Sequence, residues 1–389
     1  MFVLLVVVHE LGHFIAARRN GVDVEEFGIG FPPRAASKVL KSGLLLSLNW
    51  LPLGGFVRLK GEHDSDSAKG SYGRATLKTK TKIMLAGVSM NLVAAFVLLT
   101  ILAWVGMPKL VDKQFNVKSD TKTLQNQVLV GFVESNSPAA KAKRLITTDF
   151  TSPKNPADAL QPRDQIISFQ DVAGVENPTT GRYRVYEIKS AQELVDFTKS
   201  HPSAPVEIRI IRDKTPLVLY TQLRSKQEVE ASKKTSNPKG YLGVSPSEYT
   251  LERATWSAPI VAGGLIVQFT ALTLQGLWHA LSALFSGHTG QASAQVTGPV
   301  GIYAVLKSGS LLGYQFILMI VAIISLTLAI MNVLPIPALD GGRLFVTYLY
   351  RLIRRPLTQR AEDTIHGTGF ALLMILFVLI TIVDIKRFF

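Results

Sequence analysis

His9, Glu10 and His13 stand in VVVHELGHFIAA, a run that is otherwise apolar. On a helix, positions four apart lie on one face a turn apart, so both imidazoles can reach one cation. Glu10 adjoins the first histidine but is rotated about 100° around the axis, where it can take a proton from water at that cation. This is the H-E-x-x-H pattern, in which zinc lowers the pKa of a water to about 7 and the glutamate acts as general base. Five residues alone are a weak signal, and two surface histidines at a helix end is the plainer alternative. The setting weighs against it. Without a partner or ligand, polar side chains in an apolar helix each carry a desolvation cost of roughly several kcal/mol, and a bound metal offsets it.

A hydrolytic zinc needs a third protein ligand and an open position. Of the other histidines, His63 and His201 lie in polar segments, His279 and His288 in a segment expected outside the membrane, and His366 before the last span. The better candidate is Asp340 in NVLPIPALDGG, where Pro335 and Pro337 interrupt an apolar span just before an acid and two glycines. Proline breaks the helix, and irregular backbone at that depth is tolerated only inside protein or facing water. The competing reading has Asp340 capping a helix outside the membrane.

The elements that must carry these residues are largely apolar. The chain has 389 residues, 47% of them hydrophobic, and no cysteine, which excludes disulfides and cysteine zinc sites. The expected fold is a polytopic α-helical membrane protein with about four transmembrane helices: 1–17, 83–107, 311–342 and 367–385. Residues 18–82 form a cytoplasmic-side loop with a membrane-associated β-hairpin, 44–62 folding around Gly54 and Gly55. Residues 251–310 form a helical segment on the outer membrane surface, 258–286 being preferred there over a fifth span because Gln268, Gln275 and His279 interrupt it. Residues 343–366 form a basic cytoplasmic segment. The net charge of +14 is read as basic cytoplasmic loops, with twelve Lys/Arg in residues 18–82, and not as nucleic-acid binding.

Residues 108–250 read as an inserted soluble α+β domain on the extracytoplasmic side. Strands are expected at 127–134, 163–175 and 241–244, a short helix at 137–145, and a capped helix at 190–201. A hairpin turns at Asp213-Lys214, and 224–240 reads as a polar linker. The order resembles a bacterial PDZ domain in its circularly permuted form, carried by Gly131-Phe132-Val133, Ser137-Pro138-Ala139-Ala140 and Leu160-Gln161-Pro162-Arg163-Asp164. An insertion, KRLITTDFTSPKNPAD, and Arg163 in place of a glycine depart from that pattern.

Over nearly its whole length the chain resembles the site-2 protease family of intramembrane zinc metalloproteases. The matching segments are HELGHFIAARRNGV (9–22), FGIGFPP (27–33), PLGGFVRLKGE (52–62), AGVSMN (86–91), GPVGI (298–302) and NVLPIPALDGGR (332–343). The single PDZ-like domain points to the bacterial branch. The resemblance implies that His9, His13 and Asp340 bind Zn2+, that Glu10 activates water, and that Asn332, Gly54 and Gly55 help hold an unwound substrate segment. It further implies a multi-pass protein of the bacterial inner membrane. Its substrates would be single-span proteins, such as anti-sigma factors already trimmed outside or signal-peptide remnants, with C-terminal peptides as ligands of the PDZ domain. Only eight residues precede His9, about 12 Å of helix, so a truncated start is expected. Two rivals stand beside this: a membrane PDZ scaffold with a degenerate metal site, and a transporter with broken helices, against which no inverted repeat is visible.

Overall fold

The computed structural model describes residues 2–144, 159–172, 184–233, 238–286, 298–309 and 312–388. Most of the 143–158 insertion, the turn after 172 and His288 lie outside the described residues. In chain order the elements begin with α1 (Phe2–Arg19), β1 (Val24–Val39), β2 (Leu45–Leu59), α2 (Leu77–Val105) and β3 (Met107–Pro108). Then come β4 (Lys122–Val133), β5 (Lys143–Arg144), β6 (Gln165–Asp171), β7 (Val185–Glu187), α3 (Ala191–Ser200), β8 (Pro205–Arg212), β9 (Thr215–Gln222), α4 (Lys226–Ser232) and β10 (Val244–Arg253). The last are α5 (Ala258–Phe285), α6 (Pro299–Gly309), α7 (Tyr314–Val333), α8 (Asp340–Leu352) and α9 (Gln359–Phe388). The chain divides into two compact units, Met1–Thr121 with Arg253–Phe389, and Lys122–Glu252.

In the first unit α2 is the central helix and packs against α1, α5, α7 and α8. It starts where Thr76 accepts the Thr79 N–H and ends at Gly106, whose φ of 125° an L side chain rarely adopts. Ala95, Leu99 and Leu102 of α2 meet Ala258, Ala262 and Leu265 of α5 and Met319, Ala322 and Leu326 of α7. The small residues let these backbones approach closely. A second core joins Ala17, Val22, Val24, Leu44, Leu59, Tyr72, Ile83 and Met84, and so binds α1 and the β1–β2 sheet to the start of α2.

Among the described residues, four helices are long and apolar enough to cross a bilayer: α2, α5, α7 and α9. This is the expected number but not the expected set. The 18 residues of α1 include Glu10, Arg18 and Arg19, which keep it out of that set, whereas α5 enters it on length and composition. The interruption expected at Pro335 and Pro337 is present, and it ends α7 and lets α8 begin at Asp340.

The β-hairpin differs in detail from expectation. Gly54 and Gly55 are not its turn. They lie inside β2, and the chain reverses at 40–44, because the glycine- and proline-rich stretch before it is itself the strand β1. Residues 24–29 pair with 55–59, and 34–39 with 45–49, while 26–29 also face 45–48. The register breaks between Phe31 and Arg34, and one continuous stretch serves both ladders.

In the second unit the sheet runs β10–β4–β6–β8–β9–β5, with β7 on β6. Asp213 and Lys214 turn β8 into β9, both at positive φ, as a two-residue hairpin requires. Three expectations are corrected here. Residues 137–141 form a turn and Lys143–Arg144 the strand β5, not a helix, because Lys143 and Arg144 are drawn into pairing with β9. Part of the 224–240 linker is the helix α4, started by a reciprocal Ser225–Glu228 capping box and held by buried Val229. The strand expected at 241–244 begins only at Val244, since Gly243 takes a φ of 78°.

Candidate metal centre

His9 and His13 project from one face of α1, as their spacing requires, and both are buried. Asp340 reaches them from the head of α8. Its Oδ2 lies 3.0 Å from His9 Nε2 and 3.1 Å from His13 Nε2, and the two Nε2 atoms are 3.0 Å apart. The three donor atoms fall within 4.8 Å of one another. Asp340 does head a helix, as the competing reading held, yet its carboxylate is turned onto the histidines.

The donor set fits a divalent cation of zinc type. His13 Nδ1 donates to the Ile83 carbonyl at 2.8 Å, which commits the ring proton there and leaves the Nε2 lone pair facing His9 and Asp340. Two imidazole nitrogens and one carboxylate, with room for a further ligand, are the ligands of a catalytic zinc.

The surrounding helices hold this arrangement by close approach. A Cβ on Gly12 would lie 2.4 Å from the Ala86 carbonyl oxygen, so α1 rests on the α2 backbone. A Cβ on Gly87 would lie 2.5 Å from His13 Nε2 and 2.7 Å from His9 Nε2, so any side chain there would occupy the space of the two rings. Asn91 places its Nδ2 3.4 Å from His9 Nδ1. The head of α8 is fixed by Arg343, one turn beyond Asp340. Arg343 donates to the Glu62 backbone carbonyl at 2.9 Å, faces the Glu62 and Glu362 carboxylates at 3.6 Å, and lies over the buried Tyr72 ring, 5.4 Å from its centre.

Glu10 points toward β2. Its carboxylate faces the Val57 backbone, and its side chain is 3.7 Å from where a Gly55 Cβ would be. Gly54 in turn neighbours Val6 of α1, so both glycines lie beside the first helix. Asn332 is half-buried in the last turn of α7. The carbonyl of the next residue, Val333, is 2.3 Å from where a Gly341 Cβ would be, so this turn is packed on the head of α8. His63 pairs instead with Asp363, and His366 Nδ1 accepts from the Ala338 backbone. Neither belongs to the cluster among the described residues.

Gly87, Asn91, Val57 and Arg343 were not assigned roles from the sequence. For Asn91 a signal exists, since it is a polar residue inside a charge-free apolar stretch. For Val57 none does, because a backbone N–H has no sequence signature.

A family model described as peptidase family M50 matches residues 1–376. An Enterococcus faecalis protein named as the protease eep is 27% identical, over 100% of this chain and 98% of its own. A Clostridium perfringens protein named as a zinc metalloprotease, CPE1693, is 29% identical, over 99% of this chain and 96% of its own. A Fusobacterium nucleatum protein similarly named, FN1322, is 24% identical, over 100% and 97%.

Proposed function

This chain belongs to peptidase family M50, the site-2 protease family, and on that footing we propose that it cuts single-span membrane proteins with His9, His13 and Asp340 as zinc ligands and Glu10 as general base. It is a multi-pass membrane protein and a zinc-dependent metalloendopeptidase. One observation carries the residue assignment. Side chains 331 and 327 positions apart in sequence bring their donor atoms together at 3.0 and 3.1 Å, beside a glutamate on the same helix turn as the histidines.

Zinc, when bound there, supplies Lewis acidity toward a peptide carbonyl and toward water. Glu10 accepts the proton as water attacks the scissile carbonyl carbon, and returns it to the leaving nitrogen. The carboxylate lies beside β2, against Val57 and Gly55. A substrate helix hides its peptide bonds within its own hydrogen bonds, so it must be unwound locally. Among the described residues 55–59 are paired along one edge only, and Gly54 and Gly55 raise no side chains there. An unwound segment would lie beside Gly54 and Gly55 rather than along 57–59, where the Leu59 N–H already donates to Glu62, with Asn332 as a further polar contact.

The substrates in this reading are anti-sigma factors or signal-peptide remnants, cut after their extracytoplasmic part has been removed. The 122–252 unit is read as a PDZ domain on the extracytoplasmic side of the bacterial inner membrane, where it excludes bulky substrates or binds new C-termini. The test is Glu10→Gln against a reporter transmembrane substrate expressed in the same membranes. Cleavage is expected to fall about 10²–10⁴-fold, with zinc retained. Unchanged cleavage would remove Glu10 from the mechanism.

A further inference from the structure

Asn91 lies on α2 with 1% of its surface exposed, and its backbone is pinned by a 2.9 Å hydrogen bond from Ser325 Oγ to its carbonyl. Its side-chain amide faces His9 Nδ1, and its Oδ1 is buried with no hydrogen-bond partner among the described residues. The two ends of an amide are alike in shape, so their placement is decided by hydrogen bonding. With Nδ2 toward the ring, the His9 proton must sit on Nε2, where it points at His13 and Asp340 and blocks ligation. With Oδ1 toward the ring, the proton sits on Nδ1 and the Nε2 lone pair is free. Nothing holds Oδ1 in its present place, so the rotation forfeits no hydrogen bond there.

We propose that Asn91 is a positioning residue of the metal centre, its Oδ1 accepting the Nδ1 proton of His9 so that both histidines present bare Nε2 atoms. The inference rests on the zinc reading above. It completes a pattern on one face of α2, read at every fourth residue. The Ile83 carbonyl takes the Nδ1 proton of His13, Gly87 clears space for both rings, and Asn91 takes the Nδ1 proton of His9. Since α1 and α2 place Ile83 against His13 and Asn91 against His9, the two helices read each other in opposite directions. The metal ligands are thus set by α2 without α2 supplying one.

The experiment uses the full chain in detergent or nanodiscs and measures zinc content and zinc affinity by competition with a chromophoric chelator. Asn91→Leu removes the acceptor while keeping the branching and number of side-chain heavy atoms, and is expected to weaken zinc binding about 10–100-fold. Asn91→Asp keeps acceptors and has no N–H, so it is expected to hold zinc at least as tightly as the parent. Helical circular dichroism and elution volume monitor folding, and Asn91→Ala replaces the leucine variant if that one misfolds. Equal loss in the Asp and Leu variants would make the amide N–H the working end and overturn the inference. So would parental zinc affinity in the Leu and Ala variants. In either case a parent chain with stoichiometric zinc would leave the metal reading standing. A parent chain that holds none would overturn both.

Discussion

Strands β2 and β8 alternate with the same period and opposite chemistry. Along β8, Val206, Ile208 and Ile210 are buried against Phe169 and Phe197, and Arg209 points outward. Along β2, Leu48 and Trp50 are 52% and 70% exposed while Ser47 and Asn49 are buried. The buried polar groups there are satisfied. Asn49 donates to the Gly30 carbonyl, and Glu26, in the same sheet, pairs with Arg34 and Arg58. A sheet with one face in water buries its apolar side. A sheet with its outer face in hydrocarbon turns that side outward, as a membrane barrel does. The comparison teaches that burial inside protein and contact with an apolar solvent are separate properties. On β8 the apolar face is hidden in a closed core, whereas on residues 47–50 of β2 it is the polar face that is hidden.

Three measurements would break or sharpen this contrast. The largest effect is expected at the closed core, where Ile208→Asp buries an unpaired charge and should destabilise the 122–252 unit by about 3–5 kcal/mol. Protease cutting within that segment of the full chain would rise steeply, and resistance equal to the parent's would refute the closed core. Next comes Leu48→Arg on the outward face of β2. In a bilayer it should cost about 2–4 kcal/mol if the residue lies deep. Unfolding in nanodiscs measures this, and a change within about 0.5 kcal/mol, usual for a water-exposed site, would place that face in water.

The smallest effect concerns the polar side of the first unit. Asp120 accepts the Thr255 and Ser257 backbone N–H groups at 2.7 and 3.0 Å, and both hydroxyls donate to it. Although its burial works in the opposite direction, these bonds hold its carboxyl well below the ordinary carboxylate range. A group whose pKa is lower folded than unfolded contributes stability above its unfolded value, about 3.9, and loses it as pH falls through the folded value. Hydrogen-exchange protection at Thr255 and Ser257, the rate relative to an unstructured amide at the same pH, is therefore expected to hold from neutral pH to about 4 and to fall below. Asp120→Asn should abolish that acid dependence, and an unaltered profile in the variant would rule out Asp120 as its source.

Much of the site was legible because its chemistry is local. His9, Glu10 and His13 lie within one turn and a half of a helix, and Asp340 follows two prolines that interrupt an apolar run. In the second unit, Asp213-Lys214 and the Ser190 cap were readable for the same reason, since turns and caps depend on a few neighbouring residues. The β1–β2 pairing was not. Glycine and proline in residues 28–33 indicate interruption, and only contact with 45–59 turns that stretch into a strand. Nor was the turn at 137–141 legible, because its alanines favour a helix until pairing with β9 competes for Lys143 and Arg144.

The sequence by itself determined which side chains are candidate ligands, the spacing that puts two of them on one helix face, and the apolar lengths that demand a bilayer. Those are properties of side-chain chemistry and of the 3.6-residue turn. Tertiary structure alone decided that Asp340 closes on His9 and His13, that Gly87 leaves them room, and that Glu10 lies against Gly55 of β2. Each of these is a distance between segments far apart in the chain, and packing sets such distances, not the order of residues.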